Sequence, residues 1–170
     1  MLIEGPSGGG KSTLASILAG GRTPQAGSLL MHGLDRHTLG ERNWKRSAAL
    51  VPQFHENHVL TGSFAFNLMM GRRWPPQAED FTEMETLCRD LGLEDLLKRM
   101  PSGLQQSVGD SGWQLSHGER SRLYLGRALL QSPNVIVLDE TFAALDPKSL
   151  RCAAGSVSRR VQTVVVIAHR

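Results

Sequence analysis

The sequence predicts an α/β protein with a mainly parallel sheet, and three observations carry that prediction. A glycine-rich segment, Gly5-Pro6-Ser7-Gly8-Gly9-Gly10-Lys11-Ser12-Thr13, joins a strand-like apolar run to a helical pattern. Val135-Ile136-Val137-Leu138 is an unbroken apolar run of the kind found in parallel strands buried on both faces. Between about residues 58 and 115 the strand-like runs give way to helical periodicity. The expected organisation is therefore one domain over residues 1–170, with a core from 1–57 and 116–170 and a helical subdomain over about 58–115.

Met1-Leu2-Ile3 reads as the first strand, and Leu14, Ile17 and Leu18 have the spacing of a buried helix face that stops at Gly20-Gly21. The glycine-rich segment between them fits G-x-x-x-x-G-K-[ST] at every fixed position. Glycines there let backbone N–H groups curl around phosphate oxygens, and the helix beginning near Lys11 adds the positive end of its dipole. Lys11 would reach the terminal phosphates of a nucleotide, and the Ser12 hydroxyl would hold Mg²⁺. A glycine-rich turn capping an ordinary helix is the plainer reading, but it gives no reason for Gly-Lys-Ser at this spacing.

Ser28 to Gly33 reads as a short strand ending in a turn, and residues 35 to 46 as loop plus a short helix with Trp44 its one large apolar group. Ala48-Ala49-Leu50-Val51 is a buried strand ended by Pro52, which puts Gln53 at the carboxyl edge where open α/β sheets bind ligands. Ser63 can cap a helix through Phe66 and Met70 to Gly71. Pro75-Pro76 marks a loop. Phe81, Met84, Leu87, Cys88 and Leu91 form a core-facing stripe stopped by Gly92, and Glu94 to Met100 forms a third helix. Residues 102 to 114 read as a connector.

Ser116-His117-Gly118-Glu119 opens a helix to about Gln131, and by local rules Ser116 and Glu119 make a capping box. That alone explains both residues. The apolar run ending at Leu138 delivers Asp139 and Glu140 to the carboxyl edge, where Asp139 can hold the Mg²⁺ shell and Glu140 can orient or deprotonate a water. Asp146-Pro147 is an N-cap and N1 pair for a helix through Leu150 and Val157. Val164 to Ala168 is another buried strand, with His169 at its carboxyl end, where an imidazole could meet a γ-phosphate or serve as a plain surface residue.

The net charge of +3, with basic residues scattered, argues against nucleic acid as the main partner. The two cysteines, Cys88 and Cys152, have no metal-ligand spacing, and the default reading is a reduced, cytosolic setting. No apolar run approaches membrane-spanning length, and no signal-peptide pattern is present.

The succession Gly5 to Ser12, Gln53, Leu115-Ser116-His117-Gly118-Glu119-Arg120, Val135 to Glu140, Ala144-Leu145-Asp146 and Ala168-His169-Arg170 resembles the ATP-binding domain of the ATP-binding cassette (ABC) transporters. The resemblance implies a P-loop NTPase three-layer core that binds and hydrolyses ATP with Mg²⁺. It implies that Gln53 senses Mg²⁺ and links to a membrane domain, and that Ser116 and Gly118 contact the γ-phosphate held by an opposite subunit. Asp146 would communicate across that dimer, and His169 would be the switch histidine. The implied partners are a second ATP-binding domain, head to tail, and a transmembrane domain on the same parent polypeptide, at the cytoplasmic face of a membrane. Pro101 to Gly112 and Gly62 to Asn67 resemble the exporter branch.

Three positions depart from the family pattern: His117 for glycine, Glu119 for glutamine and Ala143 for serine. The family also has sheet before the phosphate loop and further sheet and helix after the switch histidine, so the sequence reads as an excerpt of a longer protein. Ser28 to Gly33 is then expected to lack its usual partner strands. Two rival readings stand beside the transport ATPase. One is a hydrolysis-deficient nucleotide-binding or interaction module. The other is a family relative in DNA repair or translation, disfavoured by the lack of a coiled-coil insertion, zinc cysteines or a basic arm.

Overall fold

The computed structural model describes residues 1–53 and 58–168 and the backbone of His169. Its centre is a four-stranded, all-parallel sheet of β1 (Leu2–Gly5), β4 (Ala48–Val51), β7 (Val135–Asp139) and β8 (Thr163–His169), in the order β1-β8-β7-β4. The unbroken apolar strands follow from burial on both faces. Val135, Val137, Val165, Ile167 and Leu50 point to one side, where they pack with Ala15 and Leu18 of α1 (Lys11–Leu18). Ile136, Leu138, Val164, Val166, Ala49 and Val51 point to the other side, into a larger cluster. That side is covered by α7 (His117–Leu130) and α8 (Pro147–Arg160), which makes three layers.

The first helix faces the sheet differently from its sequence pattern. Ala15 is its fully buried residue, whereas Leu14 is 40% exposed and Ile17 and Leu18 are half-buried. A small side chain lets the helix axis approach the strands, and Leu14 is turned away. After α1 comes a hairpin of β2 (Leu30–Met31) and β3 (Leu34–Asp35), joined at His32 and Gly33, both with positive φ, as a two-residue type I′ turn requires. The short strand read in Ser28 to Gly33 thus pairs locally with Leu34–Asp35, and this hairpin stays separate from the central sheet. Residues beyond it form α2 (Arg36–Leu39), capped by Asp35, and α3 (Glu41–Ser47).

The helical region comprises α4 (Phe64–Met69), α5 (Ala78–Asp90) and α6 (Glu94–Arg99). The Ser63 hydroxyl accepts from Phe66 N–H at 3.0 Å, as the capping pattern predicts. Met84, Leu87, Cys88 and Leu91 are completely buried, and burial pushes the Cys88 thiol up to about 12, so it is inert packing. The expected connector contains a 3₁₀ turn at Gly103–Gln105 and β6 (Ser107–Val108), paired with β5 (Gly62–Ser63). These helices do not have a core of their own: Leu68, Met84 and Leu87 share one cluster with Val51, Ile136 and Leu138. Arg160 of α8 also donates to Asp90 of α5 at 2.9 Å. Among the described residues no helix is long and apolar enough to cross a membrane.

Candidate functional site

Strand register brings the sequence-selected residues to one edge. Gly5 lies opposite His169, Asp139 opposite Ile167, and Val51 opposite Leu138, so all four strands end on the same side. Along that edge stand the phosphate loop, the end of β8, Asp139 with Glu140, and Pro52 with the half-buried Gln53. This is the crevice outside the carboxyl ends of parallel strands, where α/β sheets bind ligands. The chain from 54 to 57 and the side chain of His169 lie outside the described residues; the backbone of His169 closes β8 at this edge.

The loop has the conformation the phosphate-cradling motif needs. Gly8 and Gly10 sit at φ 76° and 80°, which a residue with a Cβ adopts only at a cost, and open space surrounds both. Gly9 N–H closes a turn on the Pro6 carbonyl at 3.2 Å. Ser7, Ser12 and Thr13 are exposed. The Lys11 ammonium donates to the carbonyls of Gly5 at 2.8 Å and Pro6 at 2.9 Å, which holds the charge over the loop at the first turn of α1.

Asp139 is 4% exposed, and its Oδ1 has no hydrogen-bond partner among the described residues. A buried carboxylate oxygen without a donor is costly, and a hard cation is the group that compensates it. The donor set of Asp139, Ser12 and Gln53 is all oxygen and fits Mg²⁺. Glu140 leaves the sheet in a left-handed conformation, φ 47°, with its N–H bonded to Ile167 O at 3.0 Å. For a non-glycine residue this is strained, and such strain gathers at functional positions.

At the start of α7 the capping box is present: Ser116 Oγ accepts from Glu119 N–H at 3.3 Å, and Glu119 Oε2 accepts from Ser116 N–H at 2.8 Å. The other Glu119 oxygen takes a bond from Arg99 of α6 at 2.5 Å. Burial pushes the Glu119 carboxyl up, but the Ser116 donors and Arg99 outweigh it and hold it below the ordinary range. Ser116 and His117 are exposed. Gly118 has an internal reason to be glycine: a Cβ there would lie 3.1 Å from the Ala144 carbonyl. Sequence spacing gave no hint of Arg99, twenty positions from its partner.

Asp146 caps α8, accepting from Lys148 N–H at 2.9 Å and Ser149 N–H at 3.1 Å. The bonds from Ser149 lead the donors that hold its carboxyl at about 2 instead of 3.8. Because the folded value is depressed, the cap's stabilisation is complete above the ordinary pKa and is lost as pH falls from about 4 to about 2. Asp146→Asn is therefore expected to flatten the acid limb of a pH–stability curve in that window. An unchanged curve would show that the cap contributes nothing there.

A groove of about 650 Å³ lies elsewhere, lined by Ile17, Pro24, Leu29, Trp44 and neighbours, and none of the sequence-selected site residues lines it. The sequence profile of the family described as "ABC transporter" matches residues 1–143. The chain belongs to the ABC transporter family. Relatives of this ABC domain include the ABC multidrug transporter MDR1 of Cryptococcus neoformans var. grubii, 33% identical over 99% of this chain and 12% of that protein. Another is the ABC multidrug transporter MDR2 of Trichophyton tonsurans, 37% identical over 99% of the chain and 12% of the relative. The chain thus spans about an eighth of the length of these relatives. Among solved structures, a bacterial Atm1-family ABC exporter with ATP bound superposes with a TM-score of 0.84 at 29% identity, covering 99% of this chain and 29% of the exporter. The P-loop NTPase fold expected from the sequence is the fold observed.

Proposed function

We infer that this chain is the MgATP-hydrolysing domain of an exporter-type transporter, working as one of two such domains at the cytoplasmic face of a membrane. The observation that carries the reading is the single edge on which the phosphate loop, the orphaned Asp139 oxygen and the strained Glu140 stand together. The multidrug transporters and the ATP-bound exporter among its relatives support the transport class. Their greater length supports a membrane-spanning partner on the parent polypeptide.

Loop N–H groups from Gly5 to Thr13 would cradle the phosphates, and Lys11 would exchange its two carbonyl acceptors for terminal phosphate oxygens. Asp139, Ser12 and Gln53 would hold Mg²⁺. When bound, the ion neutralises charge on the β- and γ-phosphate oxygens. Glu140 orients the attacking water and takes its proton, and His169 lies at the same edge to contact the γ-phosphate. Most of the catalysis is electrostatic stabilisation of the transferred phosphoryl group.

The exposed start of α7 supports a composite site. In a two-fold pair, Ser116 and Gly118 of one copy would face the phosphate loop of the other, with Asp146 close behind them. The Arg99 ion pair offsets the Glu119 carboxylate, which would otherwise place negative charge at a helix end meant for an anion.

The test uses the parent-length protein, comparing MgATP hydrolysis and thermal stabilisation by ATP with Mg²⁺ or with chelator. At a hundredfold excess over Kd a ligand adds about 2.7 kcal/mol of stability. Asp139→Asn is expected to abolish the Mg²⁺-dependent part of that gain and the hydrolysis with it. An undiminished Mg²⁺ response in the variant removes Asp139 from the metal. Nucleotide binding without turnover in the unmodified protein reduces the function to that of a binding module.

A further inference from the structure

Thr141 is 1% exposed, and its hydroxyl donates to the carbonyl of Val51 at 3.1 Å across a separation of ninety residues. The two partners occupy special places. Val51 is the last residue of β4, immediately before Pro52 and Gln53; Thr141 immediately follows Glu140. In the ladder Val51 lies opposite Leu138, and β7 ends one residue later at Asp139. Thr141 therefore carries the connection between the two strands past the point where the ladder itself stops.

Glu140 is held on both sides as a result. Its own N–H is bonded to Ile167 of β8, and the residue after it is bonded to Val51 of β4. A left-handed glutamate persists only where its surroundings over-determine it, and these two bonds, with Ala143 N–H on the Glu140 carbonyl at 3.1 Å, are such surroundings.

We propose that Thr141 is a positioning residue that locks Glu140 and the Gln53 end of β4 into one rigid unit through its bond to the Val51 carbonyl. The inference rests on the ATPase reading above. The Thr141 hydroxyl is committed to the Val51 carbonyl, so Thr141 acts through its neighbours. Its effect is to fix the distance between the carboxylate that handles water and the strand end that carries Gln53, so it acts on turnover and not on nucleotide affinity. A displacement of about 1 Å in such a group can cost up to about a hundredfold in rate.

The experiment compares Thr141→Val, which keeps the shape and removes the donor, with Thr141→Ser, which keeps the donor and removes the methyl. Both are made in the parent-length protein, and kcat, KM for MgATP, nucleotide affinity and melting temperature are measured. The valine variant is expected to lose about 10- to 100-fold in kcat with KM and nucleotide affinity within about twofold of the parent. The serine variant should restore most of kcat. An unchanged kcat in the valine variant overturns the proposal, as does a fall in kcat matched by weaker binding and a lower melting temperature. Should the valine variant melt below the assay temperature, serine decides: kcat near the parent value sustains the role of the hydroxyl, and a large loss refutes it. A parent protein that does not hydrolyse MgATP defeats the underlying ATPase reading instead, which is a separate and recognisable result.

Discussion

Glu140→Gln is expected to lower MgATP turnover by about 10²- to 10⁴-fold, the usual worth of a positioned general base, while nucleotide affinity is retained. The amide has the shape of the carboxylate and can occupy the same left-handed position at the end of β7, so the site should keep its geometry. What it loses is the capacity to take a proton from water. If two copies close around nucleotide, blocking hydrolysis removes the step that reopens them. The variant should therefore accumulate as an ATP-bound dimer by light scattering to a greater extent than the unmodified protein. Hydrolysis surviving near the parent rate would assign the water to another group. Lost hydrolysis without a dimer would leave Glu140 as the base and argue against the two-copy arrangement.

Trp44→Ala is the substitution expected to cost most in stability. The indole is 1% exposed, and its Nε1–H donates to the Leu18 carbonyl at 3.0 Å, closing the last turn of α1 from a position 26 residues away. It also lies against Gly20, where a Cβ would come within 2.5 Å of the indole ring. Truncation of a buried tryptophan costs about 3–5 kcal/mol. That is a large share of the roughly 5–15 kcal/mol that holds a typical domain together. Trp44→Phe keeps most of the apolar area and loses the hydrogen bond, so a loss nearer 1 kcal/mol is expected from that part. Because α1 begins at the phosphate loop, loosening its far end should also weaken nucleotide binding. Denaturant midpoints and nucleotide titrations on both variants measure the two effects. Equal midpoints for alanine and phenylalanine would show that packing at this position matters less than its burial suggests.

How much of this was legible in the sequence depended on range. The parallel strands were readable because Val135 to Leu138 and Ala48 to Val51 are apolar on both faces, and the structure buries both faces. Caps were readable because Ser63, Ser116 and Asp146 bond to backbone within three residues. The phosphate loop was readable because its conformation is written in glycines at fixed spacing. Two-residue strands such as Leu34–Asp35 and Ser107–Val108 are too short to show alternation, so both were read as loop or connector. Leu14 was assigned inward because helical spacing gives a face but not its direction, and direction depends on which neighbour approaches more closely. Trp44, Arg99 and Thr141 each act on a partner at least twenty residues distant, and nothing local marks such a pairing.

The position of β8 has a consequence for how the molecule is made. Among the described residues it is the last strand in sequence, yet it lies inside the sheet, between β1 and β7. Val166 N–H even reaches back to the Met1 carbonyl at 2.9 Å. Until residues 163–169 leave the ribosome, β1 lacks the β8 strand to which it is paired from Leu2 to Gly5. Such distant parallel pairings form slowly, since the loop must close before any contact rewards it. A nascent chain stalled before Thr163 should consequently fail to bind nucleotide although its glycine-rich loop is already synthesised.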